Sequence, residues 1–416
     1  MSVAQGGTDR REGVRILIYG MNFAPELAGV GRYTGDISAY LAGLGHRVTV
    51  VTTPPHYPGW RTQNGYRNGY MAETADGARV YRCPLYLHAK MSGVRRLLAP
   101  LSFALASAPV ALWAALRSRP QVVLAIEPTL FNAPIALLLA WISGARPVLH
   151  VQDLEIDAAL AMGHVEARPW LRRTASAFEA LVMTRFARVV TISNRMAEKI
   201  AAKGVKPERL SVVRNWVDLE RIRPLAGAPA YRNELGLSAH EFVVLYSGSI
   251  GAKQGIGVLL EAARQLSDLP RVRFVIAGRG PMRGEVADAA ERLRSLTLMD
   301  LQPEARFGEF LSLADLHVLP QEREAADLLL PSKLGGLLAS GKPIIITAEP
   351  DTELGSFVED ACDLIAPGDP KALADFIRKA AAETTTPHDP APQLALAESL
   401  SRVTLLERFA LCLLDP

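Results

Sequence analysis

The chain alternates short, almost unbroken apolar runs with longer stretches in which apolar residues return every three or four positions. The first kind predicts strands and the second helices. In the first half VRILIYG (14–20), RVTVVTT (47–53), GARVYRCPLYL (77–87), QVVLAIEP, PVLHVQD, ARVVTIS and LSVVRNWVD read as strands. GRYTGDISAYLAGLG (31–45), FNAPIALLLAWISG, SAFEALVMTRF and NRMAEKIAAKG read as the helices between them. Runs such as VRILIYG are apolar on both faces, as in a parallel sheet covered by helices on each side. Beyond Asp218 a passage rich in Pro, Gly and charge interrupts this pattern. It restarts with EFVVLYSG, GIGVLLEAARQL, VRFVIAGRG, RGEVADAAERLRS, ADLHVLP, KPIIITAE and DPKALADFIRKAAAE. The expectation is an α/β protein of two doubly wound, Rossmann-like domains, 1–218 and 219–395. After the break TTTPHDPAPQ, one amphipathic helix is expected to close the chain in 396–416. Ligands of such sheets bind outside the carboxyl ends of the strands, so a cleft between two domains is the expected site.

Composition narrows the function. A length of 416 residues, 49% hydrophobic and 21% charged, suits a globular protein with large cores. The net charge of +3 gives no electrostatic case for nucleic acid. Cys83, Cys362 and Cys412 lie far apart without a CxxC, which offers neither a disulfide framework nor a zinc site. The polar start MSVAQGGTDRREGVR lacks the apolar core of a secretory signal, so a cytoplasmic location is expected. Within 95–117, however, Leu97 to Leu116 forms a chargeless stretch between Arg95–Arg96 and Arg117. It is long enough to cross a bilayer, although Pro100 and Pro109 make it a poor spanning helix. Three readings stay open: a buried helix, a spanning helix, or one lying on the membrane. The last would place Arg95, Arg96, Arg117 and Arg119 at headgroups and Trp113 at the interface.

The strand ends carry the candidate chemistry. After the first strand, Gly29 and Gly31 open a helix where backbone N–H groups favour an anion, but there is no GxGxxG, which counts against a dehydrogenase. PVLHVQD places His150 and Gln152 on one strand face and Asp153 at its end, an acid or base candidate. Asp153, Glu155 and Asp157 alternate, which fits either a magnesium site or acids placed by a helix dipole. In the second half YSGSIGAKQG sets Gly248, Ser249 and Gly251 before Lys253, and VRFVIAGRGPMR offers Gly278, Gly280, Arg279 and Arg283. In AADLLLPSKLGG, Pro331, Ser332 and Lys333 open a helix. Two lysines at strand-to-helix turns of one domain point to a diphosphate, by a design other than the Walker loop.

These residues, in this order, resemble the bacterial family 4 glycosyltransferases of the GT-B fold, in their colanic-acid-type, WcaI-like branch. The resemblance rests on FAPELAGVGRYTGDISAYLAGLGHRVTVVT, LHVQDLEIDA, VVTIS, VVRNWVD, LYSGSIGAKQG, FVIAGRGPMR and AADLLLPSKLGGLLASGKPII, spread over roughly 14–380. It implies transfer of a sugar, with retention of anomeric configuration, from a GDP- or UDP-sugar held by the C-terminal domain. The implied acceptor is a polyprenyl-diphosphate-linked glycan on the N-terminal domain, used in exopolysaccharide assembly at the inner face of the cytoplasmic membrane. The last helix is implied to return to the N-terminal domain. No cofactor and no obligatory metal are expected, the nucleotide-sugar being a substrate. Lys253, Lys333 and the Gly29–Gly31 and Gly248–Gly251 loops are the expected stabilisers of the departing diphosphate, with Asp153 in support. Two departures stand out. Gln152 occupies a position where many relatives carry histidine before the aspartate. The paired glutamates spaced eight apart would fall at Leu328 and Gly336, so Asp327, Ser332 and Lys333 are expected to take over donor contacts. Glu353 is a further candidate for ribose or sugar hydroxyls, and His150 and Gln152 lie on the acceptor side. The rival readings are a sugar-nucleotide epimerase of the same fold and a catalytically silent homologue that binds the nucleotide-sugar.

Overall fold

Two sheets organise the chain in the computed structural model, which describes residues 13–26, 29–57, 59–88, 94–127, 131–154, 169–225, 230–323, 330–383 and 388–415. The chain divides into two units, Met1–Ile192 with Met196–Val213 and Leu406–Pro416, and Ser193–Arg195 with Arg214–Leu405. The division therefore falls between Val213 and Arg214, slightly before the expected passage at Asp218.

The first unit holds β1 (Arg15–Tyr19), β2 (Arg47–Thr52), β3 (Met71–Ala75), β4 (Ala78–Arg82), β5 (Val122–Glu127), β6 (Arg146–Val151), β7 (Arg188–Thr191) and β8 (Leu210–Val212). Their order is β3-β4-β2-β1-β5-β6-β7-β8, all parallel except β3, which pairs antiparallel with β4. The strand order reverses at β1, flanked by β2 and β5. Helix Val30–Gly43 opens after the first of these strand ends. β3 was not expected. It forms a hairpin through Asp76 and Gly77, both at positive φ (45° and 81°), the turn an Asp-Gly pair favours. The strand expected over 77–87 stops at Arg82, two residues before Pro84.

Helix Val94–Ser118 runs 25 residues with Pro100 and Pro109 inside it. One face is buried: Ala99, Phe103, Ala104, Ser107, Ala111, Ala114 and Ala115. Ser107 Oγ lies 2.7 Å from Tyr19 Oη, and the Phe103 ring is 5.7 Å from that of Tyr19. The helix is thus a wall of the sheet.

The second unit contains β9 (Phe242–Ser249), β10 (Val272–Arg279), β11 (Leu296–Met299), β12 (Leu316–Leu319), β13 (Ile344–Thr347) and β14 (Asp363–Ile365), ordered β11-β10-β9-β12-β13-β14 and parallel throughout. Val244, Tyr246, Phe274, Ile276 and Val318 pack beneath helices Ile256–Gln265 and Pro370–Ala382 to form its core. β11 and β14, of four and three residues, were not expected.

The single closing helix expected in 396–416 is two, Ala391–Ser399 and Arg402–Leu414. Val217 makes the break: its N–H donates to Leu400 O at 2.9 Å, and its carbonyl accepts from Arg402 N at 2.9 Å. Two backbone bonds to an outside residue replace the intrahelical ones there. Leu406–Pro416 belong to the first unit, where Phe409 packs 4.8 Å from the His150 ring and Arg146 donates to Leu413 O.

Candidate functional site

In the second sheet the order reverses at β9, which lies between β10 and β12. A parallel sheet opens a crevice at such a point, beyond the carboxyl ends of the strands. The glycine-rich stretch after β9 occupies this place. Gly248 and Ser249 pair with Gly278 and Arg279, and Ile250 N donates to Arg279 O at 2.8 Å. The chain then makes a tight turn over Ala252–Gln254, and Gly255, at φ 61°, starts helix Ile256–Gln265. The first N–H groups of that helix lack intrahelical acceptors and point back at the strand ends. From the β12 side, Glu322 N donates to Lys253 O at 3.1 Å, and Gln321 N donates to Thr347 Oγ1 at 2.6 Å.

Lys333 enters from the loop between β12 and helix Leu334–Ala339. Its Nζ lies 3.9 Å from the centre of the Tyr246 ring. A Cβ on Gly248 would lie 3.1 Å from its Cδ and 3.3 Å from its Nζ. The residue is partly exposed as a whole, yet Nζ is sealed and has no hydrogen-bond partner among the described residues. Desolvation pulls its pKa from 10.5 down to about 7. An ammonium held only by an aromatic face is a strong anchor for an anion, because any bound negative charge restores the missing partner. Tyr246 also donates its hydroxyl to Ser249 O, which closes the turn, and burial holds that hydroxyl neutral. Tyr246 was missed in the sequence. Strand alternation could have found it, since Tyr246 and Gly248 share one face of β9.

The other expected residues separate into groups. Lys253 is exposed on the tight turn, and Ser249 and Ser332 are exposed beside it in the fold and next to Lys333 in sequence, respectively. Asp327 lies outside the described residues. Gly278 and Gly280 leave room for the protein itself: a Cβ would come within 1.8 Å of Gly248 O and 2.1 Å of Ile250 O, and one on Gly251 would lie 2.8 Å from Gln254 Oε1. At Gly278 and Gly280 the atoms met are backbone, so close packing of the loops itself requires their small size.

Glu353 is likewise committed to the protein. Its carboxylate, 4% exposed, accepts from Asn194 N at 3.2 Å, Arg195 N at 3.1 Å and Arg214 at 2.8 Å, all grouped in the second unit. A sugar hydroxyl would compete with three donors already in place. Arg214, which also stacks 4.9 Å over Phe357, was not foreseen.

In the first unit, Gly31 backs onto Glu26, whose Oε2 would lie 2.3 Å from a Cβ there; Gly29, at φ 67°, faces the Tyr57 ring at 3.1 Å. Both glycines thus clear space for a loop in which buried Glu26 accepts from His56 N and Tyr57 N at 3.0 and 2.9 Å. His150 is enclosed rather than presented to an acceptor. It is 1% exposed, lies 3.2 Å from the Gln152 amide, and burial drives its pKa down to about 3. The face of β6 that carries His150 is covered by Phe409. Asp153 is half-buried at the end of that strand, while Glu155 and Asp157 lie outside the described residues. Among the described residues no group of three or more His, Cys, Asp or Glu is placed to hold a metal ion.

Comparison with known proteins agrees with this layout. A family model described as a glycosyl transferase 4-like domain matches residues 28–216, and one described as glycosyl transferases group 1 matches 241–383. A colanic acid biosynthesis glycosyl transferase, WcaI of Escherichia coli K12, is 39% identical over 376 residues, covering 88% of this chain and 92% of its own. Among solved structures, HepE of Anabaena in complex with UDP-glucose superposes with a TM-score of 0.66 at 17% identity, over 95% of this chain and 98% of that one. Sucrose-phosphate synthase of Thermosynechococcus elongatus does so with a TM-score of 0.68 at 15% identity, over 95% and 97%. With its two Rossmann-like units and this degree of identity, the chain belongs to the family 4 glycosyltransferases of the GT-B fold, in the colanic-acid-type, WcaI-like branch.

Proposed function

We propose that the second unit binds a nucleotide-diphospho-sugar, with GDP or UDP as the nucleotide, and that its sugar passes to a lipid-linked glycan acceptor with retention of anomeric configuration. The observation that carries this reading is the sealed ammonium of Lys333 at the carboxyl end of β9, without a hydrogen-bond partner among the described residues. When the bond from the anomeric carbon to the β-phosphate oxygen breaks, the electron pair stays on the diphosphate, so negative charge grows there. Lys333 and the first N–H groups of helix Ile256–Gln265 are fixed donors suited to that charge. The acceptor oxygen forms its bond on the face the phosphate leaves, and the departing phosphate takes the hydroxyl proton. The protein is asked for positioning and charge stabilisation, and no step requires a metal. A neighbour in complex with UDP-glucose supports the donor class.

The test is calorimetric binding of a panel of GDP- and UDP-sugars, followed by turnover with the bound donor. Wild type should bind at least one donor, and Lys333→Ala should weaken it tenfold or more, on the order of the strength of a charge-assisted contact. Epimerised donor without transfer would favour the epimerase, and binding without any turnover the silent homologue. Absence of binding to every donor would remove the reading.

A further inference from the structure

Two loops meet beyond the carboxyl ends of β1, where the strand order reverses, and its neighbour β2. Glu26 comes from one and His56 from the other. The Glu26 carboxylate, 2% exposed, accepts from His56 N, Tyr57 N and Asn22 Nδ2 at 3.0, 2.9 and 3.0 Å, which fixes the backbone that carries the imidazole. His56 Nδ1 lies 3.1 Å from Pro54 O, 3.1 Å from Thr53 Oγ1 and 3.6 Å from Glu26 Oε1. Pro54 O and the carboxylate only accept, and the Thr53 hydroxyl donates its hydrogen to Met21 O at 2.6 Å. These neighbours assign the ring proton to Nδ1 and leave Nε2 its lone pair. Nε2 is sealed and has no hydrogen-bond partner among the described residues. Burial lowers the pKa of the ring against the opposing pull of Glu26 and so keeps it neutral.

We infer that His56 binds a sugar of the acceptor: its Nε2 takes the hydrogen bond of a pyranose hydroxyl. A buried acceptor atom without a donor is costly, and a ligand O–H removes that cost. An ionised phosphate has no hydrogen to give and would meet the Glu26 carboxylate, while the nearby Arg82 is spent on Glu73, Thr53 O and Ala24 O. The walls suit a sugar. The Trp60 ring rests on the imidazole at 5.5 Å between centres, and Tyr57 is 39% exposed with its ring against Gly29. The C–H faces of a pyranose pack on such rings while its hydroxyls seek acceptors. Trp60 is itself partly exposed, and turning its ring aside opens Nε2 to the ligand. His150, the imidazole that the sequence suggests for the acceptor side, is enclosed under Phe409, and His56 takes its place. The inference rests on transfer to a glycan for its purpose and adds the residue that reads that glycan.

The probes are methyl glycosides of glucose, galactose, mannose and N-acetylglucosamine, titrated into the full chain and followed by indole fluorescence. The expected result is a saturable change with at least one glycoside, lost in Trp60→Phe. His56→Phe should weaken that glycoside about tenfold or more, and His56→Gln, whose amide oxygen reaches the place of Nε2, should recover most of the loss. Cooperative melting of both variants shows that they fold. Among the monodeoxy forms of the glycoside, one should lose the same factor with wild type and nothing further with His56→Phe. Nitrogen NMR of labelled histidines should find Nε2 of His56 unprotonated and shift its signal when the glycoside is added. A saturable response to none of the glycosides, equal affinity in wild type and His56→Phe, or a proton on Nε2 overturns the proposal. Equal affinity with a changed melting temperature would give the site to buried water. Glycoside binding through His56 by a chain that turns over no donor would leave this contact standing and remove the transferase reading. Donor turnover with an unchanged acceptor KM in His56→Phe would do the reverse.

Discussion

The Lys333 ammonium lies 3.9 Å above the Tyr246 ring and is sealed from solvent, so among the described residues its charge is received by an aromatic face alone. A buried cation of this kind disfavours its own protonated form and draws any anion able to replace water.

The first consequence concerns stability. With a folded pKa of about 7 against an ordinary 10.5, the unfolded chain binds more protons at this site between those values. Stability therefore rises with pH across that window, while below about 7 both states are charged and the penalty is constant. Lys333→Met should remove this dependence and raise the melting temperature at pH 7. Chemical denaturation at pH values from 6 to 10 compares the two chains, and parallel curves would refute the assignment.

Donor binding carries the opposite dependence. A diphosphate beside Lys333 favours the ammonium, so binding above pH 7 takes up a proton, and affinity should fall by up to about tenfold per pH unit there. Calorimetry in two buffers of different ionisation enthalpy reads the uptake directly. Lys253→Ala, altering an exposed side chain, should weaken binding less than Lys333→Ala.

How far these features were legible follows from their physics. Strand–helix alternation and the two-domain plan are written in local apolar periodicity, so β1, β9 and β10 stand where the sequence places them. The Asp76–Gly77 hairpin was legible from its dipeptide and was overlooked. Lys333 was found by its position at a strand-to-helix turn, but its aromatic seat depends on a residue 87 positions away, which no local pattern encodes. What surrounds the glycines is equally non-local. Gly31 and Gly278 look like openings for a ligand, yet the atoms that require their small size belong to Glu26 and Gly248.

That last distinction can be measured. Gly278→Ala would place a Cβ 1.8 Å from Gly248 O, backbone that cannot turn aside, and should destabilise the second unit by about 3 kcal/mol. Gly257→Ala, exposed in helix Ile256–Gln265 with nothing within 4 Å of the new Cβ, should stabilise by about 0.5–1 kcal/mol. If the two variants melt together, the packing role of Gly278 fails.

Glu353 predicts a coupled loss. Glu353→Ala leaves Arg214 and the Asn194 and Arg195 N–H groups without their acceptor, and should cost about 3 kcal/mol. Adding Arg214→Ala should bring much less than its separate effect, because the two side chains form one network. Strictly additive losses in a double-mutant cycle would show that the pair is not coupled.

The buried histidines set the acid limit. His150 in the first unit and His317 in the second are both enclosed, and burial drives each pKa from 6.5 down to about 3. Between those values the unfolded chain binds the extra proton, so stability falls as pH drops through the window and is independent of these groups above it. The slope from each is at most about 1.4 kcal/mol per pH unit. His317 Nε2 lies 3.2 Å from Ser340 Oγ, and the His150 ring rests against Phe409 with its Nε2 3.2 Å from the Gln152 amide, so both imidazoles sit away from water. His150→Gln and His317→Gln should each lower stability somewhat at pH 7 yet flatten its decline towards pH 4, and the double variant should flatten it further. Urea titrations at pH 7, 5.5 and 4 give the three values for each chain. A decline as steep in the double variant as in the wild type would place the acid sensitivity in the carboxylates instead.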